Sequence, residues 1–341
     1  MRAIRVHPAS ASSLPYSPAN PASPSSLHLD QIPRPKPKCQ GELLVRVKAT
    51  TVIRDALTWP ETYATEYAIL GHDLSGIVEE TYEMPGDVQP IFQPGDEIFG
   101  MTHADRGSTW ADYTVVKEEE IAQKPKNLNW EQAASLPLSA LTAYQALFKH
   151  GGIPLPAQLN GDERHSANGQ KILVTGASGG VGIYLVQLAA VAGLHVVAAT
   201  SSNARNESFL KSLGAHETVE YTHLQPETAF DVIIDTVGGE ILANCWAMVS
   251  KSGTLISIDS SSFDFVNIHK QSGLCDGKEN VKALFFIVSS DGRALGDLSK
   301  LAEAGLLKSF VVETYELTQA REAYEKASTK TSGHGKIVLR I

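Results

Sequence analysis

The residues best suited to chemistry form one continuous stretch, 171–182, reading K-I-L-V-T-G-A-S-G-G-V-G. Small residues dominate it, and they suit the binding of an anion by backbone rather than attack by a side chain. Gly179 and Gly182 take the second and third positions of a G-x-G-x-x-G turn, with Ala177 in the first. A side chain at Gly179 would hold the backbone off a pyrophosphate, and one at Gly182 would hold the next helix off its strand. The free N–H groups of that helix's first turn, aided by the partial positive charge of the macrodipole, would then face the anion. The other reading of such a pattern is an ordinary strand-to-helix turn, and the surrounding elements have to separate the two.

Those elements are present. Ile172, Leu173 and Val174 form a short apolar run of strand character, and Ile183, Leu185, Val186, Leu188 and Ala189 predict a helix with one dominant apolar face. Further apolar strands are predicted at 195–200 (H-V-V-A-A-T), 230–235 (F-D-V-I-I-D) and 253–258 (G-T-L-I-S-I). Strands alternating with helices predict an α/β fold with a doubly wound parallel sheet, so the glycine stretch reads as a dinucleotide site.

The end of the second strand bears on which dinucleotide. An NAD site places an acid there to accept from the ribose 2′-hydroxyl. Here the tip reads Thr200-Ser201-Ser202-Asn203-Ala204-Arg205, with no acid until Glu207. Hydroxyls and a guanidinium would bind a 2′-phosphate through charge-assisted hydrogen bonds, which predicts NADPH. The bland alternative for Arg205 is a solvated residue at a helix start.

A chain of 341 residues suggests two domains, and a formal net charge of −9 argues against nucleic acid or an anionic membrane as partner. No apolar run reaches membrane-spanning length and no apolar signal core opens the chain, so a cytoplasmic location is expected. Cys39, Cys245 and Cys275 are odd in number and far apart, which implies no disulfide framework. Residues 1–6 read as an opening strand, 8–26 as a flexible Pro/Ser/Ala loop, and 41–52 as an alternating strand. Short strands with Gly and Pro turns continue to residue 116 and describe a compact, mostly antiparallel barrel. Residues 130–150 read as a bridging helix, and 281–288 (V-K-A-L-F-F-I-V) as the last strand of the parallel sheet. That edge either pairs with a second subunit, making a homodimer, or is covered by its own chain. The elements after residue 292 resemble the first part more than the second. The expected division is therefore 1–127 with 292–341, and 128–291 inserted between them.

The ordered motifs L-G-H-D-L-S-G-I-V, Q-P-G-D-E-I-F-G, L-P-L-S-A-L-T-A-Y-Q-A-L, V-T-G-A-S-G-G-V-G, S-L-G-A, F-D-V-I-I-D-T-V-G-G and H-G-K-I-V-L-R-I span nearly the whole chain. In that order they resemble the medium-chain dehydrogenase/reductase superfamily, and within it the zinc-free quinone oxidoreductase and enoyl reductase branch in a form typical of fungal proteins. The resemblance implies a GroES-like β-barrel catalytic domain, an inserted Rossmann domain and a substrate cleft between them. It implies hydride transfer from NADPH to an activated C=C bond or a quinone. By the same resemblance Ser178, Gly179, Gly180 and Val181 should lie along the pyrophosphate, and Ser201, Ser202 and Arg205 should meet the 2′-phosphate. Tyr221 should lie near the adenosine, or else be a half-buried surface aromatic. Thr236, Val237 and Gly238 should face the ribose and nicotinamide.

Zinc enzymes of the superfamily carry a His-Glu pair where this chain has His72-Asp73, but the upstream ligand cysteine is replaced by Thr51-Val52-Ile53-Arg54-Asp55. The clustered cysteines of the structural zinc site are missing as well, so no metal is expected and His72 reads as structural. Without zinc, charge building on a substrate carbonyl needs hydrogen-bond donors. Relatives place Asn and an acid where Ile53 and Ala56 stand here. The remaining polar candidates are Arg54, Thr58, Tyr63 and Tyr67, with Thr142 on the bridging helix. Tyr63 is best placed by analogy, against a plain packing role. Two further readings stay open: a trans-acting enoyl reductase of fungal secondary metabolism acting on a polyketide-like substrate, or an NADPH-binding protein with a non-redox role in rearrangement or cyclisation.

Overall fold

Alternating apolar residues build the strands at the start of the chain, and the computed structural model describes residues 1–10, 12–82, 90–161, 167, 169–329 and 333–341. Strands β1 (Arg2–Val6) and β2 (Leu27–Gln31) pair antiparallel. The segment between them, expected to be a flexible loop, is anchored at Ala22. Ala22 is buried and its N–H donates to the Tyr63 hydroxyl at 2.8 Å. Then come β3 (Glu42–Val52), β4 (Asp73–Thr81), β5 (Glu97–Met101), β6 (Tyr113–Lys117) and β7 (Ile121–Gln123). The predicted bridging helix is two pieces, α1 (Trp130–Ala134) and α2 (Pro137–Tyr144). Pro137 starts the second, and a π-helical stretch, Gln145–His150, follows it.

Next lie α3 (Ala157–Asn160), β8 (Lys171–Val174), α4 (Gly182–Val191), β9 (His195–Thr200) and α5 (Asn203–Ser212). They are followed by β10 (Glu217–Glu220), β11 (Phe230–Asp235), α6 (Gly239–Met248), β12 (Val249–Ser257), α7 (Phe265–Gln271) and β13 (Lys282–Phe285). The last elements are α8 (Gly292–Glu303), β14 (Val311–Glu316), α9 (Ala320–Ala327) and β15 (Lys336–Arg340).

The chain divides into two units, Met1–Leu141 with Ser289–Ile341, and Thr142–Val288. The first is discontinuous and runs on past residue 127. Helix α1 stays with it: the Ser75 hydroxyl donates to the Trp130 carbonyl at 2.7 Å and Arg340 holds Glu131 at 2.7 Å. In this unit β14-β15-β3-β4-β5-β7 form one sheet, with β6 also on β3. All pairs in it are antiparallel except β14 with β15. In the second unit six strands run in the order β10-β9-β8-β11-β12-β13, all parallel. Helix α4 was expected to be apolar on one face, yet it is buried all round from Gly182 to Ala189, Tyr184 and Gln187 included. Gln187 satisfies its amide nitrogen on the Ile183 carbonyl at 3.1 Å.

Candidate dinucleotide site

Strands β8 and β11 are neighbours at the centre of the parallel sheet. From β8 the chain passes to β9 and β10 on one side, and from β11 to β12 and β13 on the other. The carboxyl ends of strands at such a reversal are where open parallel sheets bind ligands. The glycine turn occupies this place. Gly176 has φ +62, and a Cβ there would stand 2.0 Å from the Thr236 hydroxyl oxygen. A Cβ on Gly182 would stand 2.2 Å from the Gly176 carbonyl oxygen. Neither position admits a side chain. Gly179 is exposed, and a Cβ on it would meet only the Gly176 oxygen, at 3.1 Å. The N–H groups of Ser178, Gly180, Val181 and Gly182 make no backbone hydrogen bond among the described residues, and α4 begins directly behind them. Unpaired N–H groups at a helix start are what a pyrophosphate requires.

Thr236, Val237 and Gly238 are brought to the same place by a buried carboxylate. Asp235 ends β11 and accepts from the hydroxyls of Thr175 (2.6 Å) and Ser257 (3.0 Å), and from the N–H groups of Val237 (3.3 Å) and Gly238 (2.9 Å). The tips of three adjacent strands are thereby tied to one side chain. Burial pushes its pKa up, while the hydrogen bonds from Thr175, Gly238, Ser257 and Val237 pull it back down. Gly238 has φ +76, and a Cβ there would reach 2.3 Å from an Asp259 carboxyl oxygen. Tyr221, past the end of β10, also joins this group: its hydroxyl accepts the Gly176 N–H at 2.9 Å. Beside it a cavity of about 180 Å³ reaches Leu224, Pro226, Ile241, Asn244, Ala247 and Met248. That volume is below the usual range for a whole drug-sized ligand, so it would hold a fragment of a nucleotide at most.

At the tip of β9, Ser201 and Arg205 are exposed, and Ser202 occupies the N-cap position of α5 without using its hydroxyl as a cap. Arg205 has no hydrogen bond or ion pair among the described residues. The cap is supplied from elsewhere: Glu220 accepts the Asn203 N–H at 2.7 Å.

The polar candidates of the first unit are engaged. The Tyr63 hydroxyl donates to the Leu57 carbonyl and accepts from Ala22, so the side chain ties two segments together rather than offering a free O–H. Burial raises its pKa, against the lowering effect of the Ala22 bond. Arg54 is exposed and pairs with Asp55 at 3.3 Å, and the Thr58 hydroxyl donates to the Asp55 carbonyl at 2.8 Å. Tyr67 adopts φ +56 with the Arg5 guanidinium 4.4 Å above its ring. Thr142 is buried and opens the second unit. Tyr63 and Arg54 thus belong to the first unit, and Thr142 to the second.

A catalytic zinc does not fit these residues. No group of three or more His, Cys, Asp or Glu side chains able to hold a metal stands among the described residues. His72 is buried, with its ring 5.4 Å from that of Trp59, and burial lowers its pKa. Asp73 is spent on structure: it accepts from the Thr51 hydroxyl at 2.5 Å and the Leu138 N–H at 2.6 Å, with Lys336 3.8 Å away.

Sequence reasoning missed Gly176, Asp235 and Glu220. An acid ending an otherwise apolar strand, F-D-V-I-I-D, was a readable signal for Asp235, because a buried carboxylate must collect donors. Glu220 carried no such signal, since its role depends on β10 lying beside β9.

Residues 39–126 match the family described as the alcohol dehydrogenase GroES-like domain, and residues 213–339 match the zinc-binding dehydrogenase family. "Probable zinc-binding oxidoreductase, mitochondrial" of Arthroderma benhamiae is 35% identical over 329 residues, covering 93% of this chain and 94% of that protein. The chloroplastic quinone oxidoreductase QR1 of Triphysaria versicolor is 30% identical, with 91% and 92% covered. Among solved structures, the quinone oxidoreductase from Coxiella burnetii matches with a TM-score of 0.78 at 24% identity, covering 100% of this chain and 99% of that one. The α/β fold, with a GroES-like domain and a Rossmann-type parallel sheet, is shared.

Proposed function

The chain belongs to the medium-chain dehydrogenase/reductase superfamily, in its zinc-free quinone oxidoreductase-like branch, and from that membership we propose that it transfers hydride from NADPH to an activated C=C bond or a quinone. Membership makes it an oxidoreductase with a nicotinamide cofactor; the phosphate and the acceptor are the proposal. The observation that carries it is the set of unpaired N–H groups behind a turn whose Gly176 and Gly182 admit no Cβ. The nicotinamide, when bound, supplies the hydride. The chain's residues bind and orient. Backbone from Ser178 to Val181 holds the pyrophosphate, and Thr236, Val237 and Gly238, fixed by Asp235, form the ribose and nicotinamide side. Tyr221 borders the adenosine, and Ser201, Ser202 and Arg205 meet the 2′-phosphate. No step is assigned to zinc, because no donor set for it stands among the described residues.

The test is the loss of NADPH absorbance at its nicotinamide band with a panel of quinones and enones, and NADH as control. Turnover supports the reductase. Tight binding with no turnover on any acceptor would favour a second reading, a carrier-bound polyketide-like substrate or a non-redox role. The engaged hydroxyl of Tyr63 keeps that reading in play, since it does not stand free to protonate a product.

Two further proposals concern context. Strand β13 is one of the two edge strands of the parallel sheet among the described residues, with Leu284 and Phe285 half-buried and Ile287 70% exposed, and it suits pairing with a second copy of the chain. Light scattering should show a dimer that Ile287→Glu weakens; a wild-type monomer would refute it. No helix of the described residues is long and apolar enough to cross a membrane. A cytoplasmic site of action is proposed, although the two relatives carry mitochondrial and chloroplastic names, and cell fractionation decides it.

A further inference from the structure

We propose that Glu220 is a specificity-determining residue of the nucleotide site, holding the 2′ position close to charge balance so that both the 2′-hydroxyl and the 2′-phosphate forms of the cofactor bind. The inference rests on the dinucleotide reading above. Strand β10 pairs in parallel with β9, placing Glu220 opposite Thr200 at the strand tip. From there its carboxylate takes the Asn203 N–H at 2.7 Å, at the first residue of the ten-residue helix α5. Donors at that helix start would otherwise be available to a 2′-phosphate, and Glu220 puts a negative charge among them.

The same tip holds a second acceptor. The Asn203 side-chain nitrogen faces the Thr218 carbonyl at 3.4 Å, and its buried Oδ1 has no hydrogen-bond partner among the described residues. Glu220 and Asn203 Oδ1 both call for a donor, which a ribose hydroxyl supplies and a phosphate dianion does not. Against them stands Arg205, unpaired among the described residues, which calls for an acceptor, while the Ser201 and Ser202 hydroxyls can serve either form. One tip thus carries both sets of partners. Arg205 favours the phosphate and Glu220 opposes it, so discrimination between the two cofactors is narrowed.

Glu220→Gln separates charge from capping, because the glutamine amide oxygen can still accept the Asn203 N–H. Fluorescence titration of the full chain with NADPH and with NADH gives the ratio of their dissociation constants. The variant should bind NADPH about tenfold more tightly at low salt, the size expected for one charge removed a few ångströms away at the surface. NADH binding should stay the same or weaken, and the gain should shrink as salt is raised. A residue that only capped the helix would move both constants together. An unchanged ratio, or equal losses for both cofactors, overturns the proposal. Wild-type titrations judge it independently of how the variant folds: an NADPH preference within about tenfold supports it, and one beyond about a hundredfold overturns it. Wild-type protein that binds neither nucleotide would refute the dinucleotide reading itself.

Discussion

The Tyr221 hydroxyl accepts the N–H of Gly176 at 2.9 Å, tying the segment after β10 to the residue that opens the glycine turn. Gly176 sits at φ +62, so its N–H points where no neighbouring backbone carbonyl receives it. Burial raises the Tyr221 pKa, against the lowering effect of the Gly176 bond, so the phenol keeps its proton and retains a donor for a ligand. Tyr221→Phe removes the acceptor and should weaken nucleotide binding by about 1 kcal/mol, the net worth of one neutral hydrogen bond. Titration with NADPH checks it. Unaltered affinity would mean that water satisfies Gly176 equally well.

Arg205→Ala tests the 2′-phosphate assignment. The guanidinium is exposed and has no ion pair to break among the described residues, so the substitution should leave thermal stability unchanged. NADPH should bind more weakly by about 1.5–3 kcal/mol, the range for hydrogen bonds to charged groups, while NADH changes little. Equal losses for both cofactors would remove the assignment.

The sheet and its glycine turn were legible because burial on both faces writes itself as short apolar runs, as in Ile172–Val174 and Val232–Ile234, and because the turn needs residues without side chains. What stayed hidden were partnerships across the fold. Tyr63 looked like a donor until Ala22 and Leu57 claimed its hydroxyl, and nothing local announces a backbone N–H from a segment forty-one residues away. Asp73 read as half of a degraded metal pair, whereas Thr51, Leu138 and Lys336 converge on it from β3, α2 and β15. Periodicity also gave α4 only one apolar face. A helix packed on every side takes in Tyr184 and Gln187 as well, and their burial depends on neighbours rather than on spacing.

Two glycines of the turn should respond differently. A side chain at Gly179 projects from an exposed position and meets one carbonyl at 3.1 Å, so Gly179→Asp should fold and lose nucleotide binding through charge and bulk at the pyrophosphate. At Gly182 even a methyl group collides with the Gly176 oxygen at 2.2 Å, and the helix would have to move. Gly182→Ala should therefore cost about 1–3 kcal/mol of stability, as overpacking does, together with binding. Denaturant unfolding and NADPH titration on both variants decide. A Gly179→Asp protein that still binds NADPH would contradict the placement of the pyrophosphate.

His72 should leave a mark on the pH dependence of stability. Burial lowers its pKa, and the nearby Asp73 and Glu61 charges with the backbone of Thr102 and His103 push only part of the way back. The unfolded chain has an ordinary histidine near 6.5. Between that value and the lowered native one, the unfolded state binds more protons than the folded state, so stability falls as the pH falls. The contribution is complete above about pH 6.5 and is lost as the pH drops through the native value. His72→Gln has no proton to take up. It should be less stable than wild type at pH 8, through lost contact with the Trp59 ring, and should close part of that gap as the pH is lowered to 5. His150 and His269, whose pKa values burial also lowers, are common to both proteins and cancel in the difference. Denaturant midpoints across this range supply the measurement. Parallel curves would show that His72 takes up its proton equally in the folded and unfolded states, against the effect of its burial, and a full equivalent of zinc in elemental analysis would separately reopen its reading as a metal ligand.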